Sequence, residues 1–347
     1  MIETNKAEDF RQRLAEYLEA VTQKDDVDIE ALQPLAGGAS RDSWLVKAKV
    51  GSDIQQFVLR RDLATTMYDK ALARDQEFLV MKAVCESGVL APRPRWYCLE
   101  PAILDQPFFI MDFVDGISIG TQVVNQPELA VARTALPGQM GEQLAKIHAL
   151  DTTQNKLGFL PHPRVGFSPA QEAIAQIRGM ILKLAVHNPV FEFGLRWLQQ
   201  NAPKTDKPVF LHGDFRVGNF LVGEKGLNGI IDWEFARIGD PLEDLAWPCL
   251  RDWRYGNGQL RLGGIGQREP FIQAYERGSG RAIDRKAVDY WEILGNLRWA
   301  VTCLSQANRH LSGGDPSVEL ASLGRRSSEM QFEMLQLIEA QGLKDHV

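Results

Sequence analysis

The most informative part of the chain reads Val209-Phe210-Leu211-His212-Gly213-Asp214-Phe215-Arg216-Val217-Gly218-Asn219-Phe220-Leu221-Val222 and, after a turn, Gly229-Ile230-Ile231-Asp232-Trp233-Glu234. Its apolar runs predict short buried strands, and these strands are flanked by polar side chains, among them Asp214, Asn219 and Asp232. Bringing such groups beside buried strands is costly unless they meet a cation or a substrate. The block therefore predicts a functional site.

The spacing of these polar residues is specific. Asn219 lies five residues after Asp214, and Asp232 lies thirteen residues after Asn219. The pattern matches H-x-D-x-x-x-x-N of a kinase catalytic loop, followed by an Asp where a kinase binds metal. Here the sequence resembles the aminoglycoside phosphotransferase (APH)/choline kinase-like family, the small-molecule relatives of protein kinases. Through residues 231–234 and 239–246 it looks most like the bacterial branch related to the kinase-like domain of acyl-CoA dehydrogenase fusion proteins.

The resemblance implies a role for each polar residue of the block. Asp214 would orient an acceptor hydroxyl and accept its proton, as a catalytic carboxylate does in phosphoryl transfer. Asn219 and Asp232 would bind Mg²⁺, which prefers hard oxygen ligands and keeps substrate phosphates in its shell. Three further residues are expected to support the loop structurally rather than to react: His212, Asp240 and Asp244.

A nucleotide site is expected in the N-terminal part of the chain. Gly37, Gly38 and Ser40 form a glycine turn between two predicted strands, where backbone N–H groups could lie over phosphates, although an ordinary hairpin is the alternative. Arg60 stands where the kinase pattern has its phosphate-pairing Lys, and Glu77 on the next predicted helix is its expected ion-pair partner. The alternative for this pair is a solvated Arg on a strand edge and a surface Glu.

The adenine contact is expected at the end of a later strand. The resemblance places the backbone carbonyl of Asp112 and the N–H of Val114 beside the base. With the phosphate contacts, this predicts ATP or GTP as the phosphoryl donor and Mg²⁺ as its partner ion. The predicted reaction is transfer of the γ-phosphate to a hydroxyl of a small molecule.

The resemblance implies an α+β fold of the protein kinase-like bilobal type, with a small antiparallel-sheet N-lobe and a larger, mostly helical C-lobe. Turn signals separate three β-like stretches at 29–35, 43–50 and 55–60, a helical pattern follows at 72–87, and another strand passes through 108–111. Helical patterns then dominate, at 137–149, 170–184, 190–201, 269–276, 285–307 and 318–340, with one non-helical block at 209–244. The predicted domains are a leading helix at 1–24, a nucleotide-binding N-lobe at 25–112, and a C-lobe at 113–347 that carries the catalytic loop and the acceptor site.

Charge and composition restrict the acceptor and the partners. The chain has 39 Lys and Arg against 45 Asp and Glu and no long basic run, so a nucleic-acid partner is not expected. No apolar run approaches the length of a bilayer span, and the four cysteines form no C-x-x-C pair, so a soluble cytoplasmic protein with no membrane partner is expected. The oligomeric state is left open.

Residues 245–347 contain 13 Lys and Arg against 12 Asp and Glu, which speaks against a polycationic aminoglycoside as the acceptor. Arg251, Arg254 and Arg298 could instead bind an anionic or acyl-bearing hydroxylated metabolite, and packing of the helical core is the alternative for these arginines.

The sequence leaves two alternatives to the phosphotransferase. A nucleotide-binding module without activity is favoured only by Arg60, because such a protein has no chemical need for the three intact polar residues of the block. A metal-dependent hydrolase could use His212, Asp214 and Asp232 as ligands. It would leave the glycine turn, Arg60 and Glu77 unexplained.

Overall fold

The computed structural model describes residues 2–35, 41–62, 71–205, 207–314 and 317–344. The N-terminal part is a sheet with three helices, and the rest is mostly helical. The first elements in chain order are α1 (Ile2–Thr22), β1 (Val27–Pro34), β2 (Arg41–Val50), β3 (Asp53–Asp62), α2 (Arg74–Glu86), β4 (Pro94–Cys98), α3 (Pro101–Leu104) and β5 (Phe108–Asp112).

The N-terminal sheet is antiparallel, with the strand order β1-β2-β3-β5-β4. Because side chains alternate along a strand, its two faces carry different residues. Phe57 and Phe108 face one way and pack with Leu14 of α1. Val58 and Phe109 face the other way and pack with α2. Arg60 shares the parity of Val58, so the alternation turns its side chain toward α2.

A short linker connects this sheet to the helical part. The Phe113 N–H donates to Gln56 O of β3 at 3.2 Å, and the Asn228 side chain donates to Asp115 O at 2.8 Å. Gly116 has φ +150°, and a Cβ there would lie 2.9 Å from the Leu221 carbonyl carbon, so only glycine fits. Ile117 then forms an antiparallel bridge with Val222.

The helical part begins with α4 (Gly120–Asn125), α5 (Ala130–His148), α6 (Pro169–Leu184) and α7 (Pro189–Gln200). Two antiparallel strand pairs follow, formed by β6 (Val209–Leu211) with β9 (Arg237–Gly239) and by β7 (Phe220–Gly223) with β8 (Gly226–Ile230). The chain ends with α8 (Pro241–Ala246), α9 (Arg268–Ser279), α10 (Arg285–Leu311) and α11 (Val318–Lys344). None of the helices in the described ranges combines the length and the apolar character that crossing a bilayer requires.

This architecture is an α+β fold of the bilobal kinase type. Most predicted elements lie within a few residues of the observed ones. The sequence did not predict β4, α3 or α4, and two of its predictions differ from the observed elements. Helix α5 begins at Ala130 rather than at 137, because Pro137 lies inside the helix with its ring buried against Gly266. The block at 209–244 is not wholly non-helical, since Asp240 and Pro241 begin the short helix α8.

Candidate active site

His212 stabilises the loop after β6 through hydrogen bonds of its ring. The His212 ring is fully buried, with Nδ1 accepting the Asp214 N–H at 3.1 Å and Nε2 lying 3.1 Å from Ile231 O. This pattern requires the neutral tautomer with the proton on Nε2. Burial lowers the pKa of His212, although the carboxylates of Asp244 and Asp214 act in the opposite direction. Both ring nitrogens are therefore engaged within the protein.

Asp244 anchors the backbone of the same loop. Its Oδ2 accepts the His212 N–H at 2.7 Å, and its Oδ1 accepts the Gly213 N–H at 3.0 Å. Burial alone would raise the pKa of Asp244, but the contact with His148 and the charges around it hold that pKa below its ordinary value. Asp240 caps α8 by accepting the Leu242 N–H at 2.9 Å. The short helix α8 thus fixes the loop through an ionised carboxylate.

Gly213 provides a prediction about this loop. It has φ +86°, and a Cβ would overlap Phe235 O and the Arg237 guanidinium. Gly213→Ala is therefore expected to lower the free energy of unfolding by about 2–4 kcal/mol, as backbone strain and overlap add. Gly280→Ala is the matched control, because Gly280 has φ +69° but open space around it, so only about 1 kcal/mol should be lost. Chemical denaturation measures both, and equal losses would contradict the close packing at Gly213.

The Asp214 carboxylate is nearly buried and receives hydrogen bonds from three side chains. Its Oδ1 accepts Trp247 Nε1–H at 2.6 Å and Arg216 Nε–H at 3.0 Å. Its Oδ2 accepts Asn219 Nδ2–H at 2.6 Å. Arg216 also stacks over the Trp253 ring, with 4.2 Å from the guanidinium carbon to the ring centroid. These donors fix the orientation of both carboxylate oxygens.

Asn219 directly precedes β7, and Asp232 lies two residues after the end of β8, at the same end of this antiparallel pair. The Asn219 carbonyl accepts the Ile231 N–H at 2.9 Å, which brings Asp232 next to Asn219. Asp232 has φ +71°, an uncommon backbone conformation for a residue other than glycine, and its side chain is 24% exposed. Burial alone would lower the pKa of Arg216, but the charges of Asp214 and Asp232 contribute to raising it, so both carboxylates lie near its guanidinium group. The three predicted residues therefore come together.

The chemistry of this donor set fits Mg²⁺. An amide oxygen and a carboxylate are hard ligands, and a Mg²⁺ ion fills its remaining positions with water and phosphate oxygens. Zinc would need three protein ligands, and His212 has no nitrogen to offer. The described residues contain no group of three His, Cys, Asp or Glu side chains that could hold a metal.

Arg60 connects the N-terminal sheet to Asp232. Its Nη1 lies 3.2 Å from Glu77 Oε1, and its Nη2 donates to Asp232 Oδ1 at 2.9 Å. Burial alone would lower the pKa of Arg60, but these two carboxylates outweigh it and raise the pKa. A second arginine, Arg74, donates to Glu77 Oε2 at 2.6 Å and also pairs with Asp62. Glu77 is therefore a fully buried carboxylate held by two guanidinium groups.

The remaining nucleotide predictions have different outcomes. Gly37, Gly38 and Ser40 lie outside the described residues. Asp112 ends β5, where its N–H donates to Arg93 O at 2.9 Å and its carboxylate lies 2.6 Å from Arg95 Nε. Val114 follows in the linker. The contacts of both residues with an adenine base stay predictions.

The three C-terminal arginines do not line one open cleft. Arg254 is only 6% exposed and joins a buried ion-pair network, with Nη2 2.8 Å from Glu333 Oε1 and 3.2 Å from Glu292 Oε1. Arg254 was expected to bind the acceptor substrate. Instead, Glu292 of α10 and Glu333 of α11 compensate its positive charge within the core. Arg298 pairs with Glu243 at 2.5 Å and lies over the Trp247 ring. The Arg251 side chain is 45% exposed.

Sequence reasoning missed several residues that contact the site. Trp247 and Arg216 contact Asp214, while Arg74 and Asp62 complete the cluster around Glu77. Arg216 carried a detectable signal, because it lies two residues after Asp214 in the motif. Trp247 lies 33 residues after Asp214 in the sequence, and only folding brings the two together.

The fold and the site together define a class. In a kinase-like phosphotransferase, a basic residue of the small lobe pairs with a glutamate on the following helix and faces the metal-binding Asp of the large lobe. Arg60, Glu77 and Asp232 have this relation here. The chain belongs to the phosphotransferase enzyme family, whose sequence model matches residues 31–291. The phosphotransferase class and the family predicted from the motif are thus confirmed.

Solved structures with this fold cover nearly the whole chain. A Ralstonia eutropha protein provisionally named an aminoglycoside phosphotransferase has a TM-score of 0.74 at 20% identity, covering 95% of this chain and 98% of its own. A choline/ethanolamine kinase family protein from Mesorhizobium loti has a TM-score of 0.60 at 18% identity, covering 89% and 88%. A spectinomycin phosphotransferase in complex with ADP and spectinomycin has a TM-score of 0.59 at 16% identity, covering 94% and 98%. At these identities the likeness establishes the fold.

Curated relatives are similar over part of their length. Acyl-CoA dehydrogenase family member 11 of Homo sapiens is 27% identical over 277 residues, which are 76% of this chain and 35% of the human protein. Acyl-CoA dehydrogenase family member 10 of Mus musculus is 28% identical over 209 residues, which are 56% of this chain and 18% of the mouse protein. The chain therefore spans about a third or less of these relatives. The predicted similarity to the branch found in such fusion proteins is confirmed.

Proposed function

We propose that this protein transfers the γ-phosphate of ATP or GTP to a hydroxyl group of a small molecule, with Asp214 as the catalytic carboxylate. The observation that supports this most strongly is the contact of Asn219 Nδ2 with Asp214 Oδ2 at 2.6 Å, while the Asn219 carbonyl accepts the Ile231 N–H beside Asp232. A proton acceptor and two oxygen ligands thus share one loop cluster. This is the set that phosphoryl transfer to an alcohol requires.

In the proposed reaction each of these residues has a role. Asp214 orients the acceptor hydroxyl and takes its proton while the hydroxyl oxygen attacks the γ-phosphorus. A new oxygen–phosphorus bond forms, and the bond to the β–γ bridging oxygen breaks to release the nucleoside diphosphate. Mg²⁺ held by Asn219 and Asp232 would neutralise charge on the phosphates. Arg60, kept ionised by Glu77 and Asp232, supplies a cation for the phosphates from the small lobe.

The acceptor is proposed to be a hydroxylated metabolite rather than an aminoglycoside. Acidic side chains beside the aromatic cluster of Trp247, Trp253 and Trp299 are engaged by cations: Glu243 by Arg237 and Arg298, and Asp252 by Arg326. A polycation would therefore find few uncompensated carboxylates next to Asp214. Arg251 and Arg298 remain candidates for a carboxylate or acyl group of the acceptor, which accords with relatives named as acyl-CoA dehydrogenases.

A phosphate-acceptor screen tests the proposed function. The purified chain is incubated with Mg²⁺, ATP or GTP, and a panel of hydroxy acids, sugars, amino alcohols and aminoglycosides. We expect a phosphorylated product, detected by mass spectrometry, with a hydroxylated metabolite and not with aminoglycosides. Nucleotide binding without any product across the panel would favour an inactive nucleotide-binding module. Tightly retained zinc with hydrolysis of an ester substrate would favour the metal-dependent hydrolase.

A further inference from the structure

Trp247 makes a direct polar contact with the proposed catalytic carboxylate. Its indole Nε1–H donates to Asp214 Oδ1 at 2.6 Å, and both residues are buried, with 8% of Trp247 and 9% of Asp214 exposed. An indole N–H is a donor only, so it cannot exchange roles with the carboxylate or accept its proton. A buried bond of this kind to a charged group is among the stronger hydrogen bonds in proteins.

The contact distinguishes the two oxygens of Asp214. Oδ1 accepts from both Trp247 and Arg216, and their two donors lie within 3.0 Å of it. Oδ2 accepts from Asn219, which the proposed function assigns to the metal, and Arg216 Nε lies farther from it, at 3.2 Å. Trp247 and Arg216 thus hold Oδ1 on one side, and Oδ2 lies on the side of Asn219.

Trp247 is itself held firmly. It follows directly on α8, whose first residues are capped by Asp240 and whose Asp244 holds the backbone of the loop. Its ring contacts Trp253, with 5.9 Å between ring centroids, and Arg298 lies over its face. Helix α8 and the residue after it therefore contact the catalytic loop twice. Asp244 accepts hydrogen bonds from the loop backbone, and Trp247 donates to the side chain of Asp214.

We infer that Trp247 is a positioning residue for phosphoryl transfer, acting through its N–H on the rotation of the Asp214 carboxylate. This inference rests on the proposed function, because it assigns work to the same carboxylate. A role in packing alone would require the ring and not its nitrogen. The two roles can be separated by removing the N–H while keeping an aromatic ring.

The kinetic test compares Trp247→Phe with Trp291→Phe in the full chain. Trp291 is also a buried tryptophan, and its Nε1 has no hydrogen-bond partner among the described residues, so Trp291→Phe controls for the loss of ring volume. Water serves as the acceptor, with Mg²⁺ and ATP or GTP, and released phosphate is measured. In this reaction one proton of water passes to Asp214 while water oxygen bonds to the γ-phosphorus and the nucleoside diphosphate leaves.

We expect Trp247→Phe to lower kcat about 10- to 100-fold with the KM for nucleotide changed less than about threefold, as for a loss of orientation in the reacting state. Trp291→Phe should lower Tm and keep kcat within about twofold. Equal losses of kcat in both variants, or a Trp247→Phe kcat within twofold of the unaltered chain, would overturn the inference alone. Absence of phosphate release from the unaltered chain with both nucleotides, together with a failed acceptor screen, would overturn the proposed function and this inference with it.

A spectroscopic measurement tests the hydrogen bond from Trp247 to Asp214 independently of catalytic activity. The eight tryptophans give eight indole N–H signals in ¹⁵N-labelled protein. The Trp247 signal is assigned by its loss in Trp247→Phe or, if that chain does not fold, by through-bond spectroscopy. Asp214→Asn is expected to move this signal more than any of the other seven. A Trp247 signal that stays in place would show that the indole does not bond Asp214, and the inference would fail.

Discussion

Replacing Asp214 with asparagine is expected to lower kcat by at least about 10³-fold while nucleotide affinity changes by less than about threefold. The amide cannot accept the proton of the acceptor hydroxyl, and general base catalysis together with orientation contributes effects of this size. Trp247 and Arg216 can still donate to the remaining amide oxygen, so the loop should keep its position. Steady-state phosphate release gives kcat, and calorimetry with a non-hydrolysable nucleotide analogue gives the affinity.

The control for this prediction is the folded state of the same variant. The Asn219 amide faces Asp214 Oδ2, so an amide introduced there loses one favourable bond and should cost about 1 kcal/mol of stability. Tm measured beside kcat separates that cost from the loss of chemistry. A folded Asp214→Asn chain that keeps more than a tenth of kcat would show that another group accepts the proton.

Asp232→Asn is expected to weaken the binding of Mg²⁺-nucleotide by at least about tenfold and to lower kcat by about 10²-fold or more. A neutral amide is a poorer ligand for Mg²⁺ than a carboxylate, and one of the two protein ligands is altered. Asparagine tolerates a positive φ, so the backbone at φ +71° need not change. Titrations of Mg²⁺ at fixed nucleotide measure the shift.

Asp105→Asn is a closely matched control for this variant. Asp105 also has a positive φ, of +66°, and its carboxylate also pairs with an arginine, Arg13, at 3.1 Å, but the side chain is 63% exposed. An exposed pair contributes little, so this variant should keep Mg²⁺ dependence and kcat. If Asp232→Asn bound Mg²⁺-nucleotide as tightly as Asp105→Asn does, Asp232 would not be a metal ligand.

The parts of the site that sequence could predict are those fixed by local geometry. Asp214, Asn219 and Asp232 are separated only by short strands and turns, so their spacing along the chain determines how they meet in space. Glu77 was predictable for the same reason, since it lies one turn into the helix after β3. The kinase pattern predicted that Arg60 pairs with Glu77, and the alternation of side chains along β3 turns Arg60 toward that helix.

The parts that could not be predicted depend on distant elements. Arg254 follows the catalytic segment closely, yet its partners Glu292 and Glu333 lie 38 and 79 residues further along the chain. Only the packing of α10 and α11 determines that its charge is compensated inside the protein rather than offered to a substrate. Pro137 is a similar case, because tertiary packing of α5 outweighed the local preference of proline for the first turn of a helix.

The linker between the sheet and the helical part is attached to both lobes within five residues, 113–117. Phe113 is bonded to the small lobe through Gln56, while Asp115 and Ile117 are bonded to the large lobe through Asn228 and Val222. Between these attachments lies Val114, the residue whose N–H is proposed to meet the base of the nucleotide. The residue proposed to meet the base would then lie between the attachments to the two lobes. A purine bound there would restrict rotation about the backbone torsions of the linker. Without the purine, only the torsional barriers of the linker itself would oppose that rotation.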